Sequence, residues 1–182
     1  MITIVIPFMV LAGLGLLISV TFHVFALVGR VPLGGNVFMA MNFGIFAIWL
    51  PAAFVFQRIG RDPSGRPSWK QALAGCPRWM RYAMFGLLGY AFLNFLLCTA
   101  AGTAPHHSAG DPVSPGSLRL FSGHWMAFYG IGFAILFSVV RDRSLLAAAN
   151  CPSGHPVNPS ASFCPACGVP LVRTKADISK PG

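Results

Sequence analysis

The residues of this 182-residue chain best equipped for chemistry lie near its C-terminus. Cys151-Pro152-Ser153-Gly154-His155 is followed, eight residues on, by Cys164-Pro165-Ala166-Cys167-Gly168. Three thiolates and one imidazole satisfy a closed tetrahedral metal site, and the two-residue gap between Cys164 and Cys167 places both sulfurs on one turn. Gly168 eases the tight backbone there. A segment of about 20 residues cannot bury a core, so metal binding would supply its folding energy. Phe163, with Val169 or Leu171, is expected to pack beside the metal. A closed site leaves no position open for water or substrate, so its role is structural. Cys-x-x-Cys is also used for thiol exchange and for iron-sulfur ligation. The βαβ pattern that frames the redox motif is absent here, however, and a reducing cytoplasm favours zinc over disulfides.

These residues resemble the bacterial zinc-ribbon module, in which a first Cys-Pro knuckle is followed by a Phe-Cys-Pro-x-Cys-Gly knuckle. Cys151-Pro152 and Phe163-Cys164-Pro165-Ala166-Cys167-Gly168 carry the likeness, which spans residues 149–171. The first knuckle departs from the commoner form: Gly154 stands where a second cysteine is usual, and His155 follows it. The resemblance implies zinc as the cofactor, with His155 as the fourth ligand beside Cys151, Cys164 and Cys167. Because a closed site leaves no position for substrate, the ribbon is a poor candidate for catalysis and a fair one for contact with a protein partner.

A second group of polar residues lies inside apolar sequence. Four runs, about 2–29, 36–57, 82–101 and 121–140, contain no Lys, Arg, Asp or Glu, and each is near or above the roughly 20 residues a helix needs to cross a bilayer. In lipid the backbone must satisfy its own polar groups, so such runs read as helices. The first is too long for a signal-peptide core and lacks a basic leader and a cleavage site. Small and polar residues recur at helical spacing: Gly15, Ser19 and His23 in the first run; Gly86, Tyr90, Asn94 and Cys98 in the third; His124, Ala127, Gly130, Ala134 and Ser138 in the fourth. Asn42 marks the same face of the second. These stripes should face inward, where small residues permit close approach and polar ones bond across helices.

Composition agrees that the bilayer is the solvent. The chain is 55% hydrophobic and 9% charged, has no glutamate, and has a mean hydropathy of +0.67, against about 25% charged residues in an ordinary soluble domain. A net charge of +9 would suit nucleic acid, but most basic residues flank the apolar runs, where they orient helices and touch anionic lipid. Arg58, Arg61, Arg66, Lys70, Arg78 and Arg81 fall between runs two and three, and Arg141, Arg143, Arg173, Lys175 and Lys180 after run four. Only Arg30 and Arg119 lie in the other connections. The positive-inside rule then puts both termini and the middle loop in the cytoplasm of a bacterial inner-membrane protein.

Within that middle loop, Ser68 and Gln71 form a capping box and Gly75 with Pro77 a stop signal, so a short helix at the headgroups is expected. Trp69, Trp79 and Tyr82 suit an aromatic belt, and Arg78 and Arg81 can reach phosphate. The outer loop, 102–120, is rich in Gly, Pro and Ser around His106-His107 and reads as irregular. Residues 144–149 have high helix propensity and would prolong the fourth span. The polar tail, 172–182, reads as disordered.

The expected fold is therefore an all-α membrane protein: a four-transmembrane-helix bundle over residues 1–148, a small C-terminal zinc ribbon over 149–171, and the tail. Catalytic patterns fail. Ser122, His124 and Asp111 hold the ingredients of a hydrolase triad, yet residues two apart on a helix point about 200° apart. No phosphate loop or carboxylate pair is present. Two functional classes follow. The first is a non-catalytic accessory or assembly subunit that anchors a cytoplasmic ribbon, in contact with lipid and a protein partner and able to self-associate. The second is a redox or metal-handling protein. With outward-running first and third helices, His23 lies about 9 Å and His124 about 3–5 Å from the outer boundary, a depth at which two imidazoles can hold haem iron or copper. The alternative to that second class is interhelical hydrogen bonding by the same histidines.

Overall fold

The computed structural model describes residues 2–32, 34–60, 66–102, 113–146, 149–157 and 161–171. Its main elements are four long helices, α1 (Ile2–Leu27), α2 (Gly35–Ile59), α4 (Arg78–Ala100) and α5 (Pro115–Arg141), with a single turn, α3 (Trp69–Ala72), between the second and third of them. All four long helices have the length and apolar composition to cross a membrane. A 3₁₀ turn (Arg143–Leu146) and two short strands, β1 (Ala149–Asn150) and β2 (Pro156–Val157), complete the described chain.

Helix boundaries move outward from the apolar runs because caps, not hydropathy, set them. Ser114 accepts a hydrogen bond from the Ser117 amide and Pro115 occupies the first turn, so α5 starts six residues before the uncharged run. This carries Arg119 onto the helix, and it keeps Ser122 and His124 on one regular helix, so the triad geometry stays closed. At the other end, Asp142 leaves the helical conformation and its Oδ1 accepts from both the amide and the hydroxyl of Ser144. That bonding starts a new 3₁₀ turn, and the expected prolongation of the fourth span through residue 149 does not occur. Ser68 does stand at the N-cap of α3, but its side chain makes no capping bond. His106, His107, Asp111 and the tail 172–182 lie outside the described residues.

The bundle is built around α5. This helix packs against α1, α2 and α4, and α1 also meets α2. Most of the α5 span is buried, against about a fifth of each of the other three. Its sequence explains the position: Ser122, Gly123, Ala127, Gly130, Gly132, Ala134 and Ser138 are small and lie on all sides of the helix, so neighbours approach closely in several directions. The larger residues between them form the core, with Trp125, Leu118, Ile135, Leu136 and Val139 fully or almost fully buried. Tyr129 reaches through to α2, where its hydroxyl donates to the Met41 carbonyl at 2.8 Å. The absence of side chains at Gly15 and Gly44 makes room for its ring and hydroxyl, since a Cβ at either position would overlap Tyr129.

Gly15, Ser19 and His23 do face the interior of the bundle. On α4 the buried line is instead Met80, Met84, Ala91, Asn94 and Cys98. Gly86 and Tyr90, read with Asn94 and Cys98 as one inward stripe, are exposed, and nothing lies within 4 Å of where a Gly86 Cβ would be. The physical reason is that α4 packs chiefly on the single neighbour α5 and buries a narrow line, while the remainder of its surface is left to lipid.

Candidate metal centre

Residues 149–157 and 161–171 form two tight hairpins, each with a knuckle at its tip. In the first, β1 pairs antiparallel with β2, with Ala149 opposite Val157 and Asn150 opposite Pro156. Gly154 N–H donates to the Cys151 carbonyl (2.8 Å), and Cys151 N–H donates to the His155 carbonyl (3.0 Å). In the second, Phe163 bridges Pro170, Gly168 N–H donates to the Cys164 carbonyl (2.8 Å) and Cys164 N–H to the Val169 carbonyl (2.9 Å). Gly154 and Gly168 turn the chain with φ of 81° and 69°, a conformation that side chains disfavour.

The two turns differ by one residue, which accounts for the unusual first knuckle. Cys164 accepts from the residue four ahead, whereas Cys151 accepts from the residue three ahead. The glycine therefore moves up into the place of the second cysteine, and the ligand position shifts one residue later. His155 stands there, with a side chain long enough to reach back to the sulfurs.

The three sulfurs and one imidazole nitrogen converge. One ligand atom each from Cys151, His155, Cys164 and Cys167 lies within 4.8 Å of all the others. Cys151 Sγ is 3.7 Å from Cys167 Sγ and 3.5 Å from His155 Nδ1, and Cys164 Sγ is 3.9 Å from the same nitrogen. A tetrahedral ion with metal–sulfur bonds of about 2.3 Å and a metal–nitrogen bond of about 2.0–2.1 Å needs edges of about 3.8 Å and 3.5 Å. The residues fit such an ion, and the sulfur spacing is far beyond the roughly 2.05 Å of a disulfide. Cys151 and Cys164 are buried while Cys167 is exposed. Val157 and Leu171 pack around the buried sulfurs. Phe163, expected beside the metal, is instead 58% exposed, because its place in the bridge turns it away from the knuckles.

Local bonding adjusts the thiols. Burial pushes the Cys151 thiol up, but hydrogen bonds from His155, Cys164 and Ser153 together outweigh it and hold the group below its ordinary value. The Val169 amide, foremost, pulls Cys167 down as well. Burial raises Cys164. Two of the three sulfurs are thus favoured as thiolates, the form a metal binds.

The intramembrane histidines occupy separate environments. His23 is 4% exposed, with Nδ1 at 2.8 Å from Ser122 Oγ and Nε2 at 2.5 Å from Tyr90 Oη. Ser122 Oγ is also 3.2 Å from the Arg119 carbonyl; where its hydroxyl donates there, it accepts from Nδ1–H and Nε2 accepts from the Tyr90 hydroxyl. Both ring nitrogens are engaged in hydrogen bonds. His124 donates from Nδ1 to the Leu120 carbonyl at 3.2 Å and packs its ring against Phe95 and Phe128. No contact among the described residues joins the two imidazoles, and Ser122 and His124 project about 200° apart from α5.

Arg119, counted from sequence only as a loop charge, forms a reciprocal pair with Asn94: its Nε donates to Asn94 Oδ1 (3.0 Å) and Asn94 Nδ2 donates to its carbonyl (3.1 Å). The Ser114-Pro115 helix start was the signal that places it on α5. Asn42 likewise accepts from Trp125 Nε1. In comparison with known proteins, the chain matches no family model, no curated protein and no solved structure.

Proposed function

We propose that this chain is a non-catalytic accessory or assembly subunit of the bacterial inner membrane, in which the helices anchor a zinc ribbon at the cytoplasmic face. The observation that carries the reading is the convergence of Cys151, His155, Cys164 and Cys167 at tetrahedral spacing. The donor set supports zinc, since three sulfurs and one nitrogen in a closed tetrahedron suit an ion without geometric demands of its own. Bound there, the metal would replace the core that so short a segment lacks. A closed structural site does no chemistry on a substrate, so the segment is read as a folded surface for a protein partner.

The excess of basic residues in the middle loop and after the last span supports a cytoplasmic position for both termini. The ribbon then stands on the same side as the basic, aromatic segment around α3. Cys164→Ser with Cys167→Ser tests the assignment in full-length protein. The variant should lose its zinc and expose the ribbon to protease while the helices stay intact. Unchanged zinc content would overturn it.

A further inference from the structure

The turn between α3 and α4 is locked onto the bundle and carries an open, basic cleft. Leu73 and Cys76 are buried, Cys76 Sγ donates to the Ala134 carbonyl at 3.2 Å, and the Gly75 amide donates to Ser138 Oγ at 3.0 Å. Gly75 has to be glycine at this contact, because a Cβ would overlap the Ser138 carbonyl. Arg81 is held from inside: Nε donates to the Cys76 carbonyl (3.1 Å) and one terminal nitrogen to Ala74 (3.3 Å). Beside it a cavity of about 280 Å³ is lined by Lys70, Arg78 and Arg81 together with Trp69 and Tyr82. A second, almost wholly apolar cavity of about 90 Å³ shares Trp69, Leu73 and Phe85 with the first and continues along α4 and α5 to Leu88 and Ile131. Among the described residues, no acidic side chain lines either one.

We propose that this pair of cavities is a binding site for one anionic phospholipid, with its phosphate among Lys70, Arg78 and Arg81 and an acyl chain in the apolar groove beneath. Charge and depth fit together. The three cations lie where α4 enters the membrane, and Leu88 lies ten residues further along, about 15 Å deeper at the helical rise. Lys70 and Arg78 are exposed, so their charges can face a headgroup, whereas the fixed Arg81 gives the site its position. Trp69 and Tyr82 flank the mouth at the level where amphipathic rings sit in a bilayer. An anionic headgroup is favoured because basic residues at the surface attract the negative leaflet. The site does not depend on the zinc ribbon.

Native mass spectrometry of delipidated, full-length protein in detergent tests the proposal, with phosphatidylglycerol and phosphatidylcholine as probes. Wild type should retain one phosphatidylglycerol at a concentration where phosphatidylcholine is lost. The Lys70→Gln, Arg78→Gln double variant should bind it about 30-fold more weakly, given the usual worth of two interfacial charges. Leu88→Trp, which fills the groove from an exposed position and leaves the charge unchanged, should also weaken binding. Arg141→Gln with Arg143→Gln, an equal charge loss elsewhere, should not, and millimolar inorganic phosphate should not displace the lipid. Equal retention of phosphatidylcholine, an unaffected Lys70/Arg78 variant, equal loss in the Arg141/Arg143 variant, or displacement by phosphate would each overturn it.

Discussion

Cys164 sits fully buried between two hairpins, within 4.8 Å of three other ligand atoms, and its replacement by serine removes one of four donors from a segment with little else to hold it. Loss of metal and of local protease resistance is the expected result, read by elemental analysis and limited digestion. The same chemistry sets a pH dependence. Thiolates and a neutral imidazole bind the ion, so protons compete with it. Cys151 and Cys167 are held below the ordinary thiol value, a shift whose benefit is fully present above that ordinary value and is lost as pH falls through the lowered values. Metal should therefore be released progressively as the solution is acidified, followed with a colorimetric chelator. Inside the membrane the corresponding residue is Tyr90. Tyr90→Phe removes the partner of His23 Nε2 and should cost about 0.6 kcal/mol, with an upper range near 1.7, as interhelical hydrogen bonds do. Unfolding in detergent measures it, and no change in iron or copper content should accompany it.

At the scale of elements, Tyr129 of α5 packs against α1 and α2 where Gly15 and Gly44 leave room for it. Gly44→Leu should drive a side chain into Tyr129 and destabilise the bundle by about 1–3 kcal/mol, the range for overpacking. Adding Tyr129→Phe, which withdraws the hydroxyl that lies nearest to Gly44, should recover part of the loss. Such contacts are not legible in one sequence. The four long helices were, because a run of some 20 uncharged apolar residues has few alternatives in lipid, and Gly15, Ser19 and His23 could be placed inward by spacing alone. The stripe on α4 failed at Gly86 and Tyr90 because periodicity marks candidate faces without saying how many neighbours a helix has. Helix ends failed where a cap overrode hydropathy, at Ser114 and again at Asp142. The cluster of Cys151, His155, Cys164 and Cys167, which could hold a metal ion, was legible in residue type and spacing, whereas the one-residue shortening that makes room for His155 shows only in the hydrogen bonds of its turn.

For the molecule as a whole, a central α5 surrounded by three helices leaves large apolar surfaces on α1, α2 and α4, with exposed Leu17, Phe46, Phe92 and Leu97 among them. These surfaces suit hydrocarbon and are the reason the four helices read as spans. What the assembly accomplishes depends on whether the C-terminal hairpins are a metal-built platform. Metal content per chain in detergent-purified protein tests this most directly. The account predicts about one zinc per chain, as a single closed site requires, with no stoichiometric iron or copper, and its disappearance in the Cys164→Ser, Cys167→Ser variant. Protein that carries no zinc, or that carries iron or copper lost on replacement of His23 or His124, would contradict it.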